Sequence, residues 1–312
     1  MRMKSLSSVV KKGGVVFLPL ILYFSFASTQ QNSAKPNFQI RKVATIQLDF
    51  GREKVSGPTD FRVGLSGDIY LLNYSSGKLF KMDSTGKLAR SVVVAGTFYP
   101  TEVGFTISRD GDLFIADSKE KFIYRYDPGL DLIGKLRVTI SDQFENIYDF
   151  LAASWGDLLL SCGKRSELWR LEPAGKSFTF EEVGSHEAQF YFSLSEIPGK
   201  KLVAYDNFNR GLVFLDRFGN RVKEVPSRPL IKLAGTDIGL ICTSWSEDSL
   251  ALLDFNGFAA ASFTPKQLGL GFEKIKDFVT VGKKVYLLGD SLKIGVLELS
   301  ETKPESSVPE KR

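Results

Sequence analysis

The chain of 312 residues is poor in the side chains that most enzymes use for proton transfer. It contains one histidine, His186, and two cysteines, Cys162 and Cys242. No GxSxG, HExxH, P-loop or EF-hand pattern is present. A nucleophilic triad is therefore excluded unless His186 itself supplies the base. A lone histidine in the polar stretch 184–187 is more typical of a solvated surface residue.

The two cysteines are also too few and too far apart to suggest a disulfide framework. They come near the ends of second strands in two repeats that are not adjacent, whereas a disulfide needs α-carbons about 4.4–6.8 Å apart. No CxxC motif is present. We therefore expect Cys162 and Cys242 to be buried thiols without a redox role.

A basic cluster, the mark of most nucleic-acid-binding proteins, is missing as well. The chain has 41 Lys and Arg against 36 Asp and Glu. Residues 1–27 contain four of the cations and no acid, which leaves 37 cations and 36 acids in the rest. This balance predicts no nucleic-acid partner.

The N-terminal segment has the three parts of a secretory signal peptide. Arg2, Lys4, Lys11 and Lys12 precede the uncharged apolar run 13–26, and Ser25 and Ala27 place small residues at the two positions that a signal peptidase reads. We predict a signal peptide over residues 1–27, a linker over 28–42, and a secreted or periplasmic protein. The apolar run is short for a membrane span, which needs about 20 residues. An uncleaved anchor through residues 13–28 is the alternative, and we predict membrane attachment only in that case.

The rest of the chain repeats one pattern about every 44 residues. Residues 67–73 form an apolar stretch after a Gly-Asp turn, and 79–86 form a second stretch that ends in an acidic turn. The pattern returns at 111–117 and 123–129. The stretch that ends in the acidic turn is the third strand of each four-stranded repeat, and the residues that close it are Asp83, Asp127, Glu172, Asp216, Asp254 and Ser300. Six repeats of strands without a helical pattern predict an all-β, six-bladed β-propeller over residues 43–300.

The last repeat has only three candidate strands, at 278–281, 285–288 and 295–299, before the polar tail 301–312, which we expect to be disordered. The missing fourth strand is available at the other end of the chain. Apolar and polar residues alternate over Val43–Phe50, as they do in a half-buried strand. We predict that Val43–Phe50 completes the last blade and closes the ring.

Two segments resemble NHL repeats. They are Gly111–Ser118 with Phe122–Asp127, and Tyr205–Asp216, which contains a polar loop with Arg210. The resemblance covers roughly residues 55–300. It implies a six-bladed platform that binds proteins, sugars or small molecules, with a minority of relatives acting as enzymes.

Three carboxylates recur at one phase of the repeat. Asp60, Asp149 and Asp277 each precede a phenylalanine and are predicted just ahead of the innermost strand of a blade, and Glu102 is near the corresponding place in the second blade. One interpretation is a divalent-ion site, such as a calcium site, at the mouth of the central channel. Arg62 is a candidate counterion. The other interpretation is that Asp starts these strands by hydrogen bonding to loop backbone.

Aromatic residues are frequent in the loops expected at the same end of the propeller. They are Tyr74, Phe98, Tyr99, Tyr148, Phe190, Tyr191, Phe208 and Trp245. Exposed aromatic side chains give a large contact area at low entropic cost, although they can also pack between blades. Tyr99, Phe208 and Trp245 are the candidates to test first.

The sequence predicts a binding or scaffold module for a protein or an envelope carbohydrate. It would act as a monomer without a cofactor, and its candidate ligand-binding residues are Arg62, Tyr99, Glu102, Phe208 and Trp245. The alternative is a calcium-dependent lactonase or ester hydrolase, with Asp60, Asp149 and Asp277 as metal ligands. A purely structural envelope component is the third possibility.

Overall fold

The computed structural model of the chain describes residues 38–56, 59–94, 99, 102–138, 144–163, 167–174, 177–182, 191–244 and 246–301. The side chains of residues 167, 172–174, 177–182 and 301 are not described. The predicted signal peptide, most of the predicted linker, the C-terminal tail, His186 and Trp245 lie outside these ranges. All elements within them are strands. None of the described residues belongs to a helix that could cross a membrane.

The described strands form six four-stranded blades around one axis, which confirms the predicted propeller. Blade one consists of β2 (Thr59–Val63), β3 (Ile69–Asn73), β4 (Lys78–Met82) and β5 (Leu88–Val93). Blade two consists of β6 (Val103–Ile107), β7 (Leu113–Asp117), β8 (Phe122–Tyr126) and β9 (Leu132–Val138). Blade three consists of β10 (Asp149–Ala152), β11 (Leu158–Cys162), β12 (Glu167–Ala174) and β13 (Ser177–Glu182).

The second half of the ring has the same order. Blade four consists of β14 (Tyr191–Ile197), β15 (Lys201–Asp206), β16 (Gly211–Leu215) and β17 (Arg221–Pro226). Blade five consists of β18 (Leu230–Gly235), β19 (Leu240–Ser244), β20 (Leu250–Leu253) and β21 (Ala259–Phe263). Blade six takes β22 (Ile275–Val281), β23 (Lys284–Gly289) and β24 (Lys293–Glu301) from the end of the chain, and β1 (Phe38–Gln47) from its beginning.

The N-terminal strand closes the ring, as predicted, but its boundaries differ. β1 runs antiparallel to β24, with Phe38 opposite Glu301 and Ile46 opposite Ile294. It begins five residues before the predicted Val43, inside the predicted linker, and ends before Leu48. The first residues of β1 also alternate, since Phe38 and Ile40 are partly buried against the core between blades five and six and Gln39 and Arg41 are exposed. A register shift between Lys42 and Ala44 breaks the phase of this alternation, and the prediction counted only from Val43.

The residues after β1 join blade six to blade one. Leu48 and Phe50 are buried in a core cluster that contains side chains of both blades. Asp49 pairs with Lys87 in the turn of blade one, and its N–H donates to the Gly86 carbonyl at 2.8 Å. The closing strand is therefore held by hydrogen bonds to the blades on both of its sides.

The core lies between neighbouring blades. The buried apolar side chains form six clusters, and most of these clusters combine strands of two adjacent blades. Cys162 and Cys242 are buried in two different clusters as thiols, as predicted, and the lack of a redox role stays a prediction. Burial raises the pKa of the Cys242 thiol to about 12.

The antiparallel order defines two ends of the propeller. We call the loop end the one that carries the loops between the second and third strands and the connections between blades. Tyr74, Tyr99 and Phe208 belong to this end. The turn end carries the turns between the first and second strands and between the third and fourth strands. First strands start at the loop end, so the residues at their beginnings surround that mouth of the channel.

Candidate functional site

The first strands of the six blades place one residue each at an equivalent position around the channel. In every blade this residue pairs with the same place in the second strand: Asp60 is opposite Leu72, for example, and Asp277 is opposite Leu288. The six channel positions are Asp60, Gly104, Asp149, Ser193, Lys232 and Asp277. The residue that follows each of them is apolar and buried. The ring is therefore polar on the channel side and anchored by the core immediately behind it.

The innermost strand of a blade has a backbone edge without a neighbouring strand, and its N–H groups need partners. Side chains at the channel positions supply them from the preceding blade. Asp277 Oδ2 accepts the Phe61 N–H at 3.3 Å, and Asp149 Oδ2 accepts the Leu194 N–H at 2.7 Å. Ser193 Oγ accepts a third such bond, from the Leu233 N–H at 3.1 Å. These residues therefore join adjacent blades at the channel wall.

Asp149 and Asp277 use their second oxygen in the same way. Asp149 Oδ1 accepts the Phe150 N–H, and Asp277 Oδ1 accepts the Phe278 N–H, both at 2.8 Å. These bonds go to strand residues and not to the backbone of the entering loop, and β22 begins two residues before Asp277, so the interpretation that Asp starts these strands by binding loop backbone is met only in its general form, a carboxylate that binds backbone. The same carboxylate also reaches across to the next blade.

Two further residues continue this pattern deeper in the channel wall. Thr106 Oγ1 accepts the Ala152 N–H at 3.0 Å, and Ser195 Oγ accepts the Gly235 N–H at 2.7 Å. Each contact again joins one blade to the next. A hydroxyl or carboxylate at this face of a first strand is therefore explained by the open edge of its neighbour.

Arg62 lies inside the mouth among the carboxylates. Its Nη1 donates to Asp60 Oδ1 and to the Phe61 carbonyl, the latter at 2.8 Å, and is 4.0 Å from Asp277 Oδ2. Its Cζ is 5.5 Å from the ring centre of Phe105. Burial acts to lower the pKa of Arg62, but Asp60, Asp277 and Asp149 raise it above its usual value. The predicted counterion role of Arg62 agrees with this geometry.

Lys232 is a second cation in the mouth, and the sequence did not indicate it. Its Nζ donates to Asp277 Oδ1 and is 5.8 Å from the ring centre of Phe278. Burial is the main reason that the pKa of Asp277 is raised to about 6, and the nearby Asp60 raises it further. The cations Lys232 and Arg62 act to lower this pKa but do not cancel the rise. Burial also raises the pKa of Asp149. Three carboxylates thus share the mouth with two cations.

The arrangement of these carboxylates does not favour a metal site. Among the described residues, no group of three His, Cys, Asp or Glu side chains is placed to hold a metal ion. Asp60 accepts from Arg62 and from the Tyr74 hydroxyl, the latter at 3.4 Å, and Asp277 binds Lys232. The calcium interpretation of Asp60, Asp149 and Asp277 stays a prediction.

Glu102 is not at a channel position. The pairing of β6 with β7 puts Gly104 there, and Glu102 comes two residues earlier, where its Oε2 accepts the Tyr99 N–H at 3.1 Å. A side chain at Gly104 has no room, because an added Cβ would be 2.7 Å from Phe150 Cβ. The second blade therefore contributes no side chain to the ring.

The loop aromatics divide into buried and exposed ones. Tyr74 and Tyr191 are buried in core clusters, as in the alternative in which loop aromatics pack between blades. Tyr74 packs under the mouth and donates to Asp60. Tyr99 and Phe208 are 69% and 73% exposed at the loop end. Trp245 lies outside the described residues, together with Phe98 and Phe190.

Comparison with known proteins shows the fold and does not show a family. No protein-family model matches the chain, and no curated protein matches it. The similarity to NHL repeats therefore stays a prediction.

Solved structures of very different sequence have the same architecture. A streptogramin B lyase is 14% identical, with a TM-score of 0.58 over 85% of this chain and 98% of that chain. A catalytically inactive virginiamycin B lyase from Staphylococcus aureus with quinupristin is 15% identical, with a TM-score of 0.55 over 84% and 99%. The Cps50 (Swd1) β-propeller domain from Myceliophteria thermophila is 10% identical, with a TM-score of 0.54 over 83% and 99%. At this identity the likeness establishes that the chain is a β-propeller and leaves its activity open.

Proposed function

We propose that this protein is an exported binding module that engages a protein or an envelope carbohydrate through the loop end of its propeller. The observation that supports the proposal is the exposure of two large aromatic side chains, Tyr99 and Phe208, at the end where the charged channel mouth opens. Tyr99 lies in the connection between blades one and two, and Phe208 lies in a loop of blade four, so they come from separate parts of the ring at the same end. The aromatic pair and the mouth together offer apolar contact around a polar centre.

The core does not account for these two side chains. The aromatic residues of the first three strands of each blade are mostly buried between blades. Tyr99 and Phe208 instead expose most of their surface, and the backbone N–H group of each is hydrogen-bonded. Asp206 Oδ1 accepts the Phe208 N–H at 2.9 Å, and Glu102 Oε2 accepts the Tyr99 N–H. Aromatic side chains presented on fixed backbone are typical of the energetic centres of interfaces.

The mouth at this end is polar but internally balanced. Arg62 and Lys232 are bound to Asp60 and Asp277, and both cations remain partly open to the channel, with 13% and 24% of their side chains exposed. Such a surface can exchange hydrogen bonds with a polar ligand without leaving an unpaired buried charge. We therefore propose that Arg62, Lys232 and the nearby Glu102 form the polar contacts with the ligand.

The enzyme alternative has weaker support. The propellers that are similar in fold include lyases as well as the Swd1 domain, so the fold alone does not decide. A calcium-dependent hydrolase would need Asp60, Asp149 and Asp277 to release their present partners. Metal analysis of dialysed protein tests it: one equivalent of calcium, with a lower melting temperature after chelation, would support the enzyme, and no divalent ion would remove it.

Photo-crosslinking from both ends of the full chain tests the binding proposal. A photoreactive phenylalanine replaces Tyr99 or Phe208 at the loop end, and Phe218 at the turn end, which is also exposed, serves as the matched control. In cells, we expect the two loop-end positions to crosslink to one common protein, and position 218 to give no protein adduct. If no protein is captured, binding of purified chain to envelope glycans, lost on Tyr99→Ala, would support the carbohydrate form.

Three results would contradict the proposal. The first is a protein adduct from position 218 with none from positions 99 and 208. The second is the same set of adducts from all three positions, which would indicate random collisions. The third is the absence of both a loop-end protein adduct and glycan binding, which would favour a purely structural role.

A further inference from the structure

Three first strands of the propeller contain an extra residue at the channel mouth. In blades four, five and six, Phe192, Ile231 and Lys276 are inserted directly before the channel position and have no paired residue in the second strand. Among the strands that the structure describes, the first strands of blades one, two and three pair with their neighbours without such a shift. Each insertion is a β-bulge, a feature that is frequent at rims and binding sites because it turns a side chain in a new direction.

The bulge of blade four turns Phe192 toward the mouth. Its ring packs partly on the core cluster between blades four and five, the side on which Ser193 binds blade five, whereas Tyr191 belongs to the cluster between blades three and four. The Phe192 ring also contacts Tyr148 of blade three, with ring centres 6.1 Å apart and planes tilted by 46°. The ring therefore reaches elements on both sides of its own blade, which a side chain at the start of an innermost strand can do only across the channel edge.

Tyr148 and Ile231 extend this apolar surface to the two neighbouring blades. Tyr148 comes directly before Asp149 in blade three, its N–H donates to a β11 carbonyl at 2.8 Å, and it is partly exposed. Ile231 comes directly before Lys232 in blade five, is also partly exposed, and belongs to none of the six core clusters of the described residues. We call Tyr148, Phe192 and Ile231 the apolar arc. It covers three successive blades on one side of the mouth.

The rest of the mouth supplies unused hydrogen-bond donors. Arg62 of blade one makes its contacts to Asp60 and Phe61 through Nη1 alone. Among the described residues, its Nε and Nη2 groups have no hydrogen-bond partner, and they remain open to solvent. Lys232 Nζ uses one of its three protons, on Asp277. Free donors beside the apolar arc therefore form a site with two unlike halves.

The charges of the mouth are already paired, which favours a neutral ligand. The two cations are each bound to a carboxylate, and Asp149 binds two backbone N–H groups. Lys276, the third bulge residue, is paired with Glu247. A charged ligand would have to compete with these pairs. A hydroxyl group both donates and accepts, so it can bind the free N–H groups and the remaining carboxylate lone pairs without breaking a pair.

We propose that the mouth binds one neutral sugar residue, with a face of the sugar ring on the apolar arc and its hydroxyls on Arg62, Lys232 and Asp149. A sugar ring has faces of C–H groups and an edge of hydroxyls, so it matches a site with one apolar and one hydrogen-bonding half. The inference rests on the polar contacts of the proposed function and names the chemical class of the ligand. The sugar can belong to a free envelope glycan or to a glycan on a protein.

Binding of saccharides to the purified full chain tests this inference. An array carries neutral hexoses, N-acetylhexosamines and uronic acids, and calorimetric titration then gives the dissociation constant of the neutral saccharide that the chain binds best. Phe192→Leu removes the aromatic ring face but keeps much of the side-chain volume, and we expect it to weaken binding by about ten-fold or more. We expect Ile231→Ala to weaken binding by about three-fold or more. Because Ile231 lies outside the core clusters, this second variant keeps the test valid if Phe192→Leu does not fold.

Phe122→Leu is the matched control. Phe122 is also partly exposed, and its ring centre is 6.2 Å from that of Tyr124, with planes tilted by 45°, nearly the geometry of Tyr148 and Phe192. It begins a third strand and not a first strand, so we expect its replacement to change the dissociation constant by less than about two-fold. A melting curve of each variant shows whether the fold is retained.

The inference is overturned if no neutral saccharide binds, if uronic acids bind more tightly than neutral sugars, or if Phe192→Leu and Phe122→Leu weaken binding equally. Crosslinks from positions 99 and 208 to a protein without glycans, which no saccharide inhibits, would overturn the inference and keep the proposed function. Crosslinks from position 218 alone, with saccharide binding that depends on Phe192, would contradict the role of the loop-end aromatics and keep the inference.

The same measurements distinguish the two sources of the sugar. Inhibition of the loop-end protein adducts by free saccharide would identify a glycan on a protein. Saccharide binding without any loop-end protein adduct would identify a free envelope glycan.

Discussion

Asp277 of the last blade accepts a hydrogen bond from the backbone N–H of Phe61 in the first blade, at 3.3 Å. The contact joins residues 216 positions apart at the junction where the ring closes. The same carboxylate binds Lys232 of blade five. Three blades therefore meet at one buried charge, and the stability of the ring depends on its partners.

Removal of Lys232 would leave that charge without its closest cation. We expect Lys232→Met to lower the free energy of unfolding by about 2 kcal/mol, since breaking a buried pair costs about 3–5 kcal/mol and this one is partly exposed. Lys276→Met is the matched control, because Lys276 precedes Asp277 in the sequence but pairs with Glu247 on the surface. This substitution should lower the free energy of unfolding by less than about 0.5 kcal/mol. Urea unfolding measures both, and equal costs would contradict the assigned role.

The raised pKa of Asp277 gives the stability a defined pH dependence. The pKa is about 6 in the folded chain against an ordinary value of 3.8. Between about pH 4 and pH 6 the Asp277 carboxyl is therefore protonated in more of the folded molecules than of the unfolded ones. The stability that this protonation contributes is lost as the pH rises. Relative to Asp277→Asn, the wild type should lose on the order of 2 kcal/mol across this window and change little outside it. If the free energy of unfolding of the wild type minus that of Asp277→Asn stays constant or increases from pH 4 to pH 6, the raised pKa of Asp277 is contradicted.

Gly86 tests the closing strand itself. It has a φ of +91°, and an added Cβ would be 2.5 Å from Ile46 Cγ2 and 2.6 Å from the Gln47 carbonyl oxygen. Gly156 is the matched control, because its φ is +100° but nothing lies within 4 Å. We expect Gly156→Ala to cost about 1–2 kcal/mol for the left-handed backbone, and Gly86→Ala to cost about 1–3 kcal/mol more for displacing β1. Equal losses in thermal unfolding would show that β1 does not press on this turn.

The thiol of Cys242 should be unreactive in the folded protein. It is buried, and burial raises its pKa to about 12, so almost no thiolate forms at neutral pH. We expect an aromatic disulfide reagent at pH 8 to leave Cys242 unmodified until denaturant is added, and then to react with it within minutes. Mass spectrometry of the peptide that contains Cys242 measures this, and rapid modification of the native chain would place the residue at the surface.

The repeat itself could be predicted from the sequence because turn residues and apolar strands recur at nearly constant spacing. The closing strand was predicted with shifted boundaries. Leu48 and Phe50 continue the apolar alternation, but they pack between blades six and one after the strand has ended. The beginning of β1 has an alternation of its own, with Phe38 and Ile40 packed against the core between blades five and six, but the register shift between Lys42 and Ala44 puts it out of phase with the alternation that follows.

The channel ring could be predicted only where its chemistry repeats. Asp60, Asp149 and Asp277 share an Asp-Phe pair, whereas Ser193 and Lys232 occupy equivalent positions with different side chains. In blades four, five and six the pairing shifts by one residue just before the channel position, so counting from the preceding turn misses it. Which loop aromatics are buried depends on contacts with the mouth, as the bond from Tyr74 to Asp60 shows, and no local pattern contains that information.

The most direct test of the recognition role is the affinity of the crosslinked ligand for two double variants of the purified chain. Tyr99→Ala with Phe208→Ala removes the loop-end aromatics, and Phe218→Ala with Phe258→Ala removes the turn-end ones. In solution without lipid, we predict that the first variant weakens binding by about thirty-fold or more, as the loss of central aromatic contacts does, and that the second leaves it unchanged. Undiminished binding by the first variant, or loss of binding only in the second, would contradict the account.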